Sequence, residues 1–187
     1  MSVVVYNLLN TALLQGMAPP ALPGGRFGRA ALPGGLIGGG IYIIYNNNTQ
    51  NRYVGISRQL DRRFGKRMAT VTEMGSSFAT MTQLVAWWGT VATQNTGAAG
   101  APTPIPSYRG PLNATIDGAT VNLERLLVRY LLTQLGAGGT VSNNVFAVTP
   151  YANPTANPVT VHFNSASNAY FTAFAQTRTW PVGGAGW

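Results

Sequence analysis

The residues of this sequence that could do chemistry are few and unevenly spread. Five cations, Arg58, Arg62, Arg63, Lys66 and Arg67, fall within one ten-residue stretch. The whole chain of 187 residues has twelve basic residues against four acidic ones, a formal charge of +8. Eleven of the twelve are Arg, whose planar fork of donors suits phosphate oxygens, so a polyanion is the partner to expect and nucleic acid the first candidate. Cysteine is absent, which excludes a disulfide framework and a thiolate metal site and leaves the redox compartment open. The single histidine, His162, stands in an alternating, strand-like run and reads as structural.

Carboxylates are scarcer than cations. Only Asp61, Glu73, Asp117 and Glu124 are acidic. Counting from Glu124 in steps of three and four reaches Leu127, Val128, Leu131 and Leu135, so a helix over Asn122 to Leu135 would carry this carboxylate on an apolar face. Arg125 and Arg129 would then turn to solvent. A carboxylate so placed needs a partner, and a metal ion or an arginine would supply one. The competing explanation is that Glu in a first helical turn is favoured by the helix dipole alone.

The elements that must position these groups follow from apolar periodicity. The runs Ile41-Tyr42-Ile43-Ile44-Tyr45 and Arg52-Tyr53-Val54-Gly55-Ile56-Ser57 flank a cluster of Asn, Thr and Gln, the pattern of two antiparallel strands joined by a turn. After Ser57, a helix N-cap candidate, Leu60, Phe64 and Met68 recur once per helical turn among the five cations, so the hairpin is expected to run into a basic helix.

The stretch Gly40 to Met68 resembles the signature of the GIY-YIG nuclease superfamily. The first motif stands as Gly40-Ile41-Tyr42 and the second as Tyr53-Val54-Gly55, with ten residues between the tyrosines. Arg63, ten residues beyond Tyr53, stands where the family carries its helical arginine. What the resemblance implies is an α+β fold, a small central antiparallel or mixed sheet flanked by helices, that hydrolyses phosphodiester bonds in DNA, with RNA left open. Tyr42 or Tyr53 would assist in taking the proton from water, Arg63 would bind the scissile phosphate, and Glu124, near the start of a downstream helix, would hold one Mg²⁺ or Mn²⁺. Gly55, Arg58, Arg62, Lys66 and Arg67, together with Asn143 and Asn144 of the closing segment, would line the substrate. Because the ordinary tyrosine pKa is about 10, neighbouring positive charge must favour the anion. There are two departures from the family pattern: Arg67 stands where many members carry a His or Tyr, and Ile56 and Ser57 stand where many carry a Lys. An arginine cannot shuttle protons at neutral pH. The alternative is therefore a nucleic-acid-binding or structural protein, such as a phage or particle component, that keeps the fold without the reaction.

The rest of the chain divides at residue 39. Residues 1–39 are expected to be an apolar segment followed by a Gly/Pro-rich arm containing ALPGG twice, with Arg26 and Arg29 between the copies; residues 40–187 are expected to be the nuclease-like domain with a C-terminal hairpin and helix. The apolar start is too short and too interrupted by Asn to span a membrane, and it lacks the basic flank of a signal peptide. The cellular compartment is left open between the cytoplasm and delivery to a target cell. Leu84 to Trp88 reads as a second helix or a strand with Trp87 and Trp88 in the core, and residues 96–119 read as a loop. A compact nuclease-like centre behind such an arm suggests a toxin-type effector, or a phage or restriction-type enzyme, with an immunity or delivery protein as a further partner.

Overall fold

The computed structural model describes residues 1–13, 40–46, 49–58, 84–106, 108, 110–135, 140–141, 149–167, 175–184 and 187. The arm at 18–39, the basic helix expected after Ser57 with Asp61, Arg62, Arg63, Lys66 and Arg67, Glu73, and the pair Asn143 and Asn144 lie outside the described residues.

Among the described residues the chain is strand-rich. The strands are β1 (Ser2–Leu13), β2 (Gly40–Asn46), β3 (Asn51–Ser57), β4 (Leu84–Gln94), β5 (Thr103–Pro104), β6 (Asn113–Ile116), β7 (Ala119–Asn122), β8 (Thr140–Val141), β9 (Val159–Ser165) and β10 (Ala175–Trp180), and one helix, α1 (Leu123–Leu135), follows β7. Eight strands form a mixed sheet in the order β10-β9-β1-β4-β2-β3-β8, with β5 added to β4, and β6 and β7 make a separate hairpin. The sheet is therefore larger than the small central sheet expected from the sequence.

The apolar start of the chain is a sheet strand. Its Val-Val-Val-Tyr run favours the pleated backbone, and the alternation of Val4, Tyr6 and Leu8, all buried, with Val3, Val5 and Asn7, half-buried, is the two-residue period of a strand with one face in a core. β1 lies between β4, antiparallel, and β9, parallel. The C-terminal pair β9–β10 likewise joins the main sheet through β1 instead of standing as a separate appendage. Leu84 to Trp88 opens β4, a strand and not a helix, and Trp87 and Trp88 are buried as expected.

Two glycines allow the centre of the sheet to close. A Cβ on Gly89 would come 1.7 Å from the Asn7 carbonyl oxygen, where the β1–β4 register slips between Asn7 and Asn10, and a Cβ on Gly40 would come 2.6 Å from the Gly89 carbonyl oxygen. Backbone approaches this close exclude any side chain.

The register sorts the sheet into two faces. Ile41, Ile43 and Tyr45 pair with Ile56, Val54 and Arg52, and Ile43 also pairs with Trp87. These apolar side chains, with Val4, Tyr6, Leu8, Val161 and Phe163, share one continuous core with Leu123, Leu126, Leu127, Val128, Tyr130 and Leu131 of α1. This is the helix face. Tyr42, Ile44, Tyr53, Ala86 and Trp88 are also buried but point the other way and are not part of that core.

α1 begins where its sequence says it should. The Asn122 side chain accepts the Arg125 N–H at 2.8 Å, the bond expected of an N-cap to the third helical residue. The buried stripe runs through Leu123, Leu126, Leu127, Tyr130 and Leu131, and Glu124 falls on its flank, half-buried. Arg125, expected to face solvent, instead stacks 4.5 Å above the Tyr151 ring and donates to the Pro150 carbonyl at 2.9 Å, pinning the segment ahead of β9. Arg129 is half-buried rather than solvent-facing, and burial, followed by the nearby Arg125 charge, lowers its pKa.

The composition of 96–119 hides a short hairpin. Asp117 and Gly118 take positive φ, 47° and 82°, which closes the two-residue turn between β6 and β7. Asp117 also accepts from the Thr96 N–H at 2.8 Å and the Thr96 hydroxyl at 2.7 Å, and these bonds hold its pKa below the usual carboxylate value.

Candidate active site

The β2–β3 hairpin has the expected antiparallel register. Tyr42 lies across from Gly55, and Ile44 across from Tyr53, so both tyrosines leave the hairpin on the face opposite α1. Their ring centroids are 6.3 Å apart with planes inclined at 34°, within the range of interacting aromatic pairs. A Cβ on Gly55 would come within 2.3 Å of both Cζ and Oη of Tyr42, so the first tyrosine lies directly over the glycine of the second motif. That contact gives a physical reason for the two motifs to occur together. The tyrosine of one strand occupies the space that a side chain on the other strand would need.

Burial distinguishes the two rings. Tyr42 is fully enclosed, and Tyr53 retains 8% of its surface. Tyr42 is therefore the deeper ring of the pair, and Tyr53 is the ring closer to solvent. Trp88, paired with Tyr42 from β4, completes the aromatic patch on this face. The sequence had assigned Trp88 only to a core; its place beside Tyr42 needed the β2–β4 register.

The hairpin turn is held by its own polar groups. Asn46, fully buried at the end of β2, accepts the Thr49 N–H at 3.2 Å, and the Tyr45 hydroxyl donates to the Gln50 side chain at 2.6 Å. Gln50 takes a φ of 58°, the left-handed backbone that a tight turn requires. Arg58, at the exit of β3, is exposed. Arg52 was not among the residues assigned a role, and period-two alternation puts it on the helix face, one position before Tyr53. Its guanidinium lies 4.7 Å over the Tyr45 ring and donates to the Gln50 carbonyl at 2.6 Å. Burial lowers its pKa, with the Tyr45 charge acting in the opposite direction.

Glu124 is not brought to the tyrosines. It occupies the first turn of α1, whose apolar stripe packs on the other face of the sheet. The Tyr6 hydroxyl, also on the helix face, donates to the neighbouring Leu123 carbonyl at 2.7 Å. No group of three or more Asp, Glu, His or Cys residues with the spacing to hold a metal ion occurs among the described residues. A divalent ion at the tyrosines would therefore have no ligand in Glu124, and the residue does not fit the role that the resemblance implies. His162 lies on β9 within reach of the Thr177 hydroxyl at 2.8 Å, far from the hairpin in strand order, consistent with a structural role.

Residues 38–81 match the family model of the GIY-YIG catalytic domain. Over that segment, about a quarter of its length, the chain is similar to the catalytic domain of the GIY-YIG nuclease superfamily. No curated protein and no solved structure matches the chain.

Proposed function

We propose that this protein is a GIY-YIG endonuclease that hydrolyses phosphodiester bonds in DNA. The observation that carries the reading is the hairpin itself: Tyr42 over Gly55, with Tyr53 beside it, in the segment that matches a nuclease family. Phosphodiester hydrolysis requires a proton to leave the attacking water and charge on the phosphoryl oxygens to be neutralised. Tyr53, the less buried ring, takes the water's proton as its phenolate, the form that neighbouring positive charge favours, and Tyr42 holds it in place from beneath. Arg63 binds the scissile phosphate, while Arg58, Arg62, Lys66 and Arg67 contact the backbone on either side. Nucleases of this family generally use a divalent metal, and such an ion, if bound here, would supply positive charge to the phosphodiester. Asn143 and Asn144 complete the substrate contacts.

Incubating the full chain with plasmid DNA and with RNA, in Mg²⁺, in Mn²⁺ and in chelator, tests this. The expected result is metal-dependent nicking of DNA, abolished by Arg63→Ala and strongly reduced by Tyr53→Phe, with both variants folded. No cleavage under any of these conditions would overturn the reading.

A second reading is favoured by the position of Glu124, across the sheet from the tyrosines. On this reading the chain keeps the module as a nucleic-acid-binding or structural component. It predicts salt-sensitive, sequence-independent DNA binding without cleavage. No helix among the described residues is long and apolar enough to cross a membrane. A toxin-type, phage or restriction role, with an immunity or delivery partner, is the biological setting we propose for the active form. Bacterial growth on expression of wild type and Arg63→Ala tests it, with equal growth arguing against toxicity.

A further inference from the structure

We propose that Glu124 belongs to the anchor of α1 and takes no part at Tyr42 and Tyr53, so that any carboxylate used at the tyrosines is neither Glu124 nor Asp117. The inference rests on the tyrosine hairpin as the reacting centre, and its test separates the two.

The backbone around Glu124 is fixed from four directions. The Leu123 N–H donates to the Leu112 carbonyl at 2.8 Å, and the Leu123 carbonyl accepts from the Tyr6 hydroxyl at 2.7 Å. The Asn122 N–H donates to the Tyr151 hydroxyl at 2.7 Å, and the Arg125 N–H donates to the Asn122 side chain at 2.8 Å. Every partner belongs to the helix-face side of the molecule, so Glu124 cannot reach the other face without breaking this set. Tyr6 stands across from Val91 on β4, and Tyr42 across from Trp88. Two strand spacings and three residues of β4 thus separate the two places, roughly 10 Å in each direction, with the sheet itself between them.

Asp117 is fixed equally firmly and farther away. Its carboxylate is engaged by Thr96, beyond the end of β4, and the strand from Trp88 to Gln94 alone covers roughly 20 Å. The chain has only four acidic residues. Two of them are thereby assigned to turn and helix stabilisation, and the other two, Asp61 and Glu73, fall within the sequence segment that matches the catalytic domain. In the first turn of α1, Glu124 meets the positive end of the helix dipole, a role that needs a negative charge but not a particular reach.

The test compares the full-length wild type with Glu124→Gln, Glu124→Asp, Asp61→Asn and Glu73→Gln. Far-UV circular dichroism establishes folding, calorimetric titration with Mn²⁺ measures metal affinity, and plasmid nicking measures activity. We expect Glu124→Asp to match wild type within about twofold in Mn²⁺ affinity and nicking, as a substitution remote from the site should. Glu124→Gln should do the same wherever it folds. A folded Glu124 variant that loses about tenfold or more in both, the scale on which metal centres respond to altered ligation, would overturn the inference. A similar loss confined to Asp61→Asn or Glu73→Gln would support it, as would retention in all four variants. If the wild type binds no Mn²⁺ and nicks nothing, the nuclease reading fails. The anchor role of Glu124 is then read from stability alone: Glu124→Gln should lower the urea midpoint, and an unchanged midpoint would overturn it.

Discussion

The two faces of the central sheet are both buried but are built differently. The helix face is one apolar core that runs from β10 across to β3 and into α1, with Phe163 and Tyr130 stacked at 5.5 Å and Trp180 and Trp187 closing one end. The tyrosine face carries the aromatic patch of Tyr42, Tyr53 and Trp88 outside that core, and the key contact there is a ring resting on a glycine. Apolar burial is tolerant of chemistry because many side chains of similar volume satisfy it. A ring seated on a bare backbone is intolerant, since one added methyl group has nowhere to go. The helix face therefore carries stability and the tyrosine face carries shape, which is the division expected if only the second does chemistry.

The largest effect that could break this comparison comes from where the two faces meet in the backbone. Gly89→Ala directs a Cβ at the Asn7 carbonyl oxygen, which cannot swing aside as a side-chain end can, and should cost about 3 kcal/mol or more, the upper range for overpacking. Urea denaturation would measure it, and a loss of less than about 1 kcal/mol would mean that β1 and β4 do not approach as described.

Next in size is a deletion from the helix face. Leu127→Ala should lose about 2–5 kcal/mol because its side chain is fully buried against the sheet, while DNA binding by the folded fraction stays unchanged. Gly55→Ala should separate the faces in the opposite sense. Its cost is about 1–3 kcal/mol, since the neighbour is a buried aromatic ring, but the tilt of Tyr42 against Tyr53 must change and nicking should fall more than stability does. Equal losses in both properties would show that the tyrosine face is only a second core. Smaller again is Asn122→Ala, which removes the α1 cap and should cost about 1 kcal/mol, read as a lower midpoint in the same urea titration.

The smallest effect is a pH dependence from the helix face. Burial pushes the Tyr130 phenol up to about 12, against 10 in the unfolded chain, and the Tyr6 phenol is raised well above its ordinary value for the same reason. The folded state then holds protons that the unfolded chain has released. Stability from these groups is complete below pH 10 and falls as pH rises from there through the folded pKa. The Tyr130 hydroxyl has no hydrogen-bond partner among the described residues. Tyr130→Phe should accordingly leave stability at pH 7 unchanged or slightly improved and weaken the alkaline loss. Thermal melts at pH 7, 10 and 11.5 would show it, and an undiminished loss in the variant would assign the effect elsewhere.

The sequence by itself determined what depends on neighbours in the chain. The hairpin, its turn and the span of α1 follow from period and turn chemistry, which act over a few residues. The motif match rests on the same local spacing. Tertiary structure alone decided which face each group meets. An apolar stretch such as Val3 to Leu8 fits a terminal segment as well as a sheet strand until β4 and β9 pair with its two edges. Helical counting put Glu124 on the apolar side of α1, but no count within α1 tells which face of a distant sheet that side will cover. That is settled by the β6–β7 connection into α1, by the Tyr6 hydroxyl on the Leu123 carbonyl and by Arg125 on Tyr151, all contacts between residues far apart in sequence. The face of a sheet on which a side chain lies is a property of strand pairing, and pairing partners are not encoded in the segment that carries the side chain.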